Sequence, residues 1–367
     1  MDATPDEIES LAELRTWLDK RTLAGLAVQG LDLTGVPLVD VAVDDTLFIG
    51  CRLSSVAAAD LVARGASVVP ELTHAPYPTH PSALYTPAAL SAGFETGAMY
   101  DTVVYEHFVA HGGPLPPIRE ALSQRLHDHG IDNALGDALA SWADGPVIGV
   151  MGGHAEPRGS SAYRAAAELG FSLRRAGALV LTGGGPGVME AANLGAYIGA
   201  VGSVAPVDAV DAAIDELAAA PYFTDQRPYT AVALAVRARF ATDDPWAGGL
   251  SIPTWLYGHE PANLFAGQIA KYFSNAIRED TILRAARGGI VFAPGKAGTV
   301  QEVFQAATKA FYGSDGASGP MVFLGKRYWT EELPVEALLR PLFAMASETP
   351  PVVLTDDVAE AVALLVP

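Results

Sequence analysis

Glu302 is the residue whose surroundings most clearly invite chemistry. It lies in the stretch Gly288 to Gln305, GGIVFAPGKAGTVQEVFQ. Ile290 to Ala293 is a short apolar run bounded by glycines, the pattern of a buried parallel strand. Pro294 to Thr299 is a Gly-containing turn. A helical pattern follows, with Val300, Val303 and Phe304 on one face and Thr299 in position to cap it. A glycine turn between a strand and a helix start offers free backbone N–H groups and the positive end of a helix dipole, and so an anion site. Glu302 then falls inside the first helical turn. Its carboxylate either works on the phosphate or sugar held by the turn or simply complements the helix dipole.

A second turn of the same kind lies upstream. Ala178 to Thr182 (ALVLT) is strand-like and runs into Gly183-Gly184-Gly185-Pro186-Gly187. The helix Val188 to Ala200 follows. Three consecutive glycines permit a close backbone approach that side chains forbid, and Pro186 is tolerated at a helix start. Ligands of doubly wound sheets collect at the C-terminal strand ends. Two such turns, if they come from adjacent strands, can enclose one nucleotide.

A third turn, Gly152 to Ser161, follows the apolar strand Pro146 to Met151 and precedes a helix, Ala162 to Ala176, that Ser160 or Ser161 can cap. In a parallel sheet it falls on the same edge as the other two. That makes Gly153, His154 and Arg158 pocket candidates; the competing account is a mobile surface loop. His259 and Glu260, in a further turn at Gly258 to Pro261, either reach the pocket or cap the next helix. No acidic residue ends the second strand, where a dinucleotide fold holds a ribose, and this weighs against a nicotinamide cofactor.

GGGPGVMEAAN at Gly183 to Asn193, followed by PGKAGTVQE at Pro294 to Glu302, resembles the LOG (Lonely Guy) family. These lysine decarboxylase-like Rossmann proteins are nucleoside 5′-monophosphate phosphoribohydrolases, which release a free base and ribose 5-phosphate. The resemblance spans about Pro146 to the C-terminus. It implies catalytic roles for Glu302 and for an arginine before the second motif, for which Arg278 in NAIRED is the nearest match. It implies a binding set of Gly183, Gly184, Gly185, Gly187, Met189, Glu190, Pro294, Gly295, Lys296, Gly298 and Thr299, with Gly153 and His154 beside them. Lys296 departs from the family pattern, which has a second glycine there; it either adds a cation for the phosphate or changes the ligand. The resemblance implies no metal, no cofactor and a homodimer or higher homo-oligomer. Two rival functions remain. One is a non-catalytic nucleotide or molybdenum-cofactor sensor or carrier. The other is a DNA-processing role. The lysine decarboxylase label has little support, since no lysine lies in a pattern for pyridoxal phosphate.

The sequence has 367 residues, a hydrophobic fraction of 50% and a formal net charge of −19. Such acidity opposes general nucleic-acid binding, which needs basic patches, but not a mononucleotide held by backbone amides. The single cysteine, Cys51, excludes an intrachain disulfide and fits a reducing cytoplasm. The acidic start is unlike a signal peptide, and no apolar run is long enough to span a bilayer. There is no Cys/His cluster with zinc spacing.

The length suggests two domains: an accessory α+β domain over 1–144 and a catalytic domain over 145–367, with the break at Asp144-Gly145-Pro146. Thr4 to Lys20 reads as a helix with the stripe Ile8, Leu11, Leu14 and Leu18. Leu23 to Cys51 reads as several short strands or a small β-solenoid-like layer without a clean period. Ser54 to Arg64 reads as a helix and Ser67 to Pro70 as a strand. Thr73 to Ala98 reads as an ordered loop with solvated His74 and His80, and Tyr100 to Gly112 and Ile118 to Trp142 as helices. His127, Asp128 and His129 alternate, so they cannot share one helix face; a polar helix end explains them better than a metal site. Beyond Pro146, strands and helices alternate as a doubly wound parallel α/β sheet requires. Val201 to Pro206 reads as a strand, Asp208 to Gly249 as an insertion or lid, and Leu250 to Tyr257 as strand-like. Ala262 to Asn275 and Glu279 to Arg287 read as helices.

Overall fold

A computed structural model describes residues 7–72, 74–142, 145–201, 208–346 and 348–366. The chain forms two compact units: Met1–Leu84 with Glu106–Leu139, and Tyr85–Tyr105 with Ala140–Pro367. Asp144, part of the break expected from sequence, and most of the strand expected at Val201 to Pro206 lie outside the described residues.

The elements run β1 (Glu7–Ile8), α1 (Leu11–Asp19), β2 (Ala27–Gln29), β3 (Leu47–Ile49), α2 (Ser55–Ala63) and β4 (Ser67–Val69). Then come α3 (Pro87–Ser91), α4 (Tyr100–Ala110), α5 (Ile118–Ser141), β5 (Val147–Met151), α6 (Ser161–Arg175), β6 (Leu179–Thr182) and α7 (Val188–Ala200). The chain continues through α8 (Asp208–Leu217), α9 (Gln226–Arg239), β7 (Leu250–Ser251), β8 (Gln268–Ile269), α10 (Asn275–Ala285), β9 (Gly289–Phe292) and α11 (Ala297–Tyr312). It ends with β10 (Met321–Leu324), α12 (Glu336–Phe343), β11 (Val352–Thr355) and α13 (Val358–Leu365).

Residues 7–69 of the first unit form a solenoid with a regular period. Glu7, Ala27, Leu47 and Ser67 stand in register across four parallel strands, so one coil takes 20 residues. Within the coils Leu23, Val28, Leu33, Leu38, Val43 and Phe48 recur at every fifth position, and all are buried. The helix expected over Thr4 to Lys20 is shorter. Ser10 and Glu13 form a capping box that starts α1 at Leu11, and Ile8 lies in β1, fully buried.

His127 and Asp128 also differ from expectation. They are buried within α5 and paired at 3.2 Å, so they do not mark a helix end. Nor are the loop histidines merely solvated. His74 lies 3.3 Å from the buried Glu120, which also accepts from Tyr77 and contacts His107. Burial, aided by His129 and His127, pushes His80 down to about 4.

The second unit is a Rossmann-like α/β sheet of seven parallel strands in the order β11-β10-β9-β5-β6-β7-β8. The chain builds outward from β5 to β8 in one direction and from β9 to β11 in the other. The direction reverses between β5 and β9, the switch point at which such sheets bind ligands. The two glycine turns expected from adjacent strands therefore come from β6 and β9, with β5 between them. α7 packs tightly on α6, because a Cβ on Gly195 would lie 1.8 Å from the Ala167 carbonyl oxygen. Asp208 to Gly249 holds α8 and α9, whose Val210, Ile214, Leu217 and Val236 join the core under α6 and α7. Ala262 to Asn275 is not a helix. Asn263 turns its side chain onto its own chain, accepting from the Phe265 N–H, and the segment then runs extended through β8. Among the described residues no helix is long and apolar enough to cross a membrane.

Candidate functional site

A pocket of about 570 Å³ opens at the C-terminal ends of β5, β6, β7 and β9. Its volume lies within the usual range for small-molecule sites. The structure brings together Gly153, His154, Gly183, Gly184, Gly185, Met189, Arg278, Pro294, Gly295, Lys296, Gly298, Thr299 and Glu302 in its lining. His259 and Glu260 are there as well.

Arg278 is placed by α10, whose N-terminus Ser274 caps. Its guanidinium donates from Nε to the Ile252 carbonyl at 2.8 Å and from Nη2 to the Gly183 carbonyl at 3.1 Å. Those two bonds anchor it on the ends of β7 and β6 and leave Nη1 3.9 Å from Glu302 Oε1. A Cβ on Gly183 would sit 2.2 Å from Arg278 Nη2 and would displace the guanidinium. The turn is held from behind. Gly184 donates to Thr182 Oγ1, Thr182 to Asn193, and Asn193 to the Gly248 carbonyl.

Glu302 is 13% exposed and, because α11 starts at Ala297, lies in its second turn rather than the first as expected from sequence. Burial pushes its carboxyl up to about 7; Arg278 pulls the other way and Glu279 adds to the rise. α11 opens at Lys296 without a side-chain cap. The expected cap by Thr299 is not what forms. The helix begins earlier, at Ala297, and Thr299 is a buried residue whose Oγ1 lies 2.1 Å from where a Gly295 Cβ would be. The uncapped N-terminus presents amide donors to the pocket. The Gly153 N–H donates to the Pro294 carbonyl at 3.0 Å, which ties the β5 and β9 turns together.

Three sequence candidates fall elsewhere. Glu190 turns into the core, where it accepts from Arg158 at 2.6 and 2.9 Å and from the Tyr163 and Tyr229 hydroxyls. Arg158 is its partner there and stacks over the Tyr229 ring at 3.2 Å. Neither lines the pocket: a buried carboxylate on the inner face of α7 must be neutralised, and Arg158 does so. Gly187 packs against the β5 turn, with its absent Cβ 2.5 Å from the Gly153 carbonyl oxygen.

Lys271 and Tyr328 also line the pocket, and the sequence did not single them out. Lys271, 2% exposed at its side chain, pairs with Asp101 at 2.5 Å, and the Trp255 indole donates to the same carboxylate. It was hidden in the segment misread as a helix. Tyr328 lies in a π-helical turn after β10 and donates to the Gly295 carbonyl; no motif marks it. Glu260 faces His154 at 3.2 Å, and burial raises its carboxyl above the usual range, opposed by His154, His259, Arg278 and Lys271.

Residues 145–205 match the family model described as LDcluster4, SLOG cluster4 family. That segment carries β5, β6, the triple-glycine turn and α7, in the parallel sheet described above. Over that segment, within a Rossmann-like sheet, the chain is similar to the SLOG cluster4 family. Among solved structures, the X-ray structure of TM1055, a structural-genomics target, is similar. It has 20% identity and a TM-score of 0.37, covering 60% of this chain and 98% of that one. No curated protein matches. The matched segment supplies Gly152 to Glu156, Gly183 to Gly185 and Met189 to the pocket lining. Arg278, the α11 turn and Glu302 lie beyond it.

Proposed function

We propose that the LOG-like domain hydrolyses the N-glycosidic bond of nucleoside 5′-monophosphates, releasing the base and ribose 5-phosphate. The observation that carries this reading is Glu302, a buried carboxyl pushed up to about 7, facing Arg278 beside the uncapped start of α11. A general base works best with a pKa near the operating pH. The amides of Gly298 and Thr299 hold the phosphate, with Lys296 beside them. Glu302 then lies close to C1′, where it offsets the positive charge of an oxocarbenium-like transition state and accepts a proton from the attacking water. Arg278, fixed by two carbonyls, orients Glu302 and the ribose.

The test is a product assay. The full chain is incubated with purine and pyrimidine 5′-monophosphates, and free base and ribose 5-phosphate are separated by chromatography. A folded Glu302→Ala sample is the control. Release that the variant loses supports hydrolysis. Absence of release from every monophosphate, with thermal-shift binding retained, replaces the reading with a sensor or carrier.

A further inference from the structure

Cleavage of a glycosidic bond to a nitrogen base requires two proton movements. Water must lose a proton, and the departing base must gain one. Glu302 can serve the first. For the second the pocket holds an imidazole paired with a carboxylate. His154 Nδ1 lies 3.2 Å from Glu260 Oε1. The His154 side chain is 55% exposed, whereas that of Glu260 is 14% exposed. The ring also meets Phe223 edge-on at 5.9 Å. A carboxylate on Nδ1 fixes the tautomer and orientation of an imidazole and leaves Nε2 for proton transfer.

The two pairs lie beside different glycines of one turn. A Cβ on Gly183 would meet Arg278, whereas a Cβ on Gly185 would lie 3.2 Å from Glu260 Oε2. A nucleotide lying over the three glycines thus has Arg278–Glu302 beside Gly183 and Glu260–His154 beside Gly185.

We propose that His154, positioned by Glu260, is the general acid that protonates the leaving base. This rests on the hydrolytic reading above. As the C1′–N bond breaks, its electron pair goes to the base, and the proton on His154 Nε2 goes to a base ring nitrogen. Water adds to C1′ and gives its proton to Glu302. One proton leaves His154 and one arrives on Glu302, and exchange with solvent restores both.

The test compares two leaving groups. One is the purine 5′-monophosphate that the wild type cleaves fastest. The other is its N7-methyl derivative, whose cationic base departs neutral without protonation. His154→Gln should lower kcat on the first by about 100-fold and leave the second within about threefold. Glu260→Gln should show the same selectivity with a smaller loss, as a positioning residue would. Equal losses on both substrates, or no loss on either, overturn the proposal while the hydrolytic reading stands. A wild type that releases no base from any purine or pyrimidine 5′-monophosphate overturns both.

Discussion

Glu302→Gln separates what the carboxyl costs the fold from what it gives the chemistry. The carboxyl is raised from 4.5 to about 7, and burial is the first cause. Such a group favours the folded state most below pH 4.5, where it is protonated in both states. That contribution is lost as pH rises through the unfolded value and toward the folded one. At about 1.4 kcal/mol per unit, the full loss is about 3 kcal/mol, of which about 2 kcal/mol falls between pH 5.5 and 8.5. Glutamine has nearly the same shape and does not titrate. The variant should therefore gain on the wild type by about 2 kcal/mol over that pH interval. For a unit of this size the gain is a relative rise in Tm of roughly 4–8 °C. The assay is a thermal melt of both proteins at pH 5.5 and 8.5, with product release measured alongside. The expected result is a variant that is more stable at alkaline pH and inactive throughout. A Tm difference that does not change with pH, or that changes in the opposite sense, refutes the claim that Glu302 is a desolvated base.

Three further outcomes follow from particular contacts. Gly183→Ala puts a Cβ 2.2 Å from Arg278 Nη2, so it should displace the guanidinium and lower kcat/KM about 100-fold with the Tm little changed; steady-state kinetics check this. Glu190→Gln leaves the buried Arg158 without its counter-charge and should destabilise by about 3–5 kcal/mol in urea titration, while KM of the protein that remains folded is unaltered. Lys296→Gly removes an exposed cation beside the uncapped start of α11. It should raise KM several-fold and leave kcat unchanged, the signature of uniform binding.

The pocket was more legible in sequence than the scaffold around it. Gly183 to Gly185 and Pro294 to Thr299 were readable because tight βα turns demand glycine at fixed places. Glu302 followed from its distance to such a turn. Glu190 misled because a motif marks a residue without saying which way it points, and only the facing Arg158, Tyr163 and Tyr229 turn it inward. The first unit was obscured for a different reason. Its buried residues recur every fifth position, which matches neither the helical period nor strand alternation. Read with those two templates, the stretch shows no period at all. Ala262 to Asn275 failed through tertiary context: composition permits a helix, but pairing with β7 holds Gln268–Ile269 extended.

On the proposed function, a chain with a formal charge of −19 holds a dianionic phosphate in a pocket that also contains Glu156, Glu260, Glu279 and Glu302. Lys271 does little to offset this, because Asp101 takes up its charge at 2.5 Å. On that reading backbone amides and Lys296 hold the phosphate. Arg278 has a different task. A buried carboxyl beside a bound dianion would be driven further toward its neutral form, and a neutral Glu302 cannot accept a proton. Arg278 opposes that drift from 3.9 Å while its other nitrogens are engaged with Gly183 and Ile252. On this account the arginine serves first to keep Glu302 ionisable when substrate arrives and only second to touch the substrate.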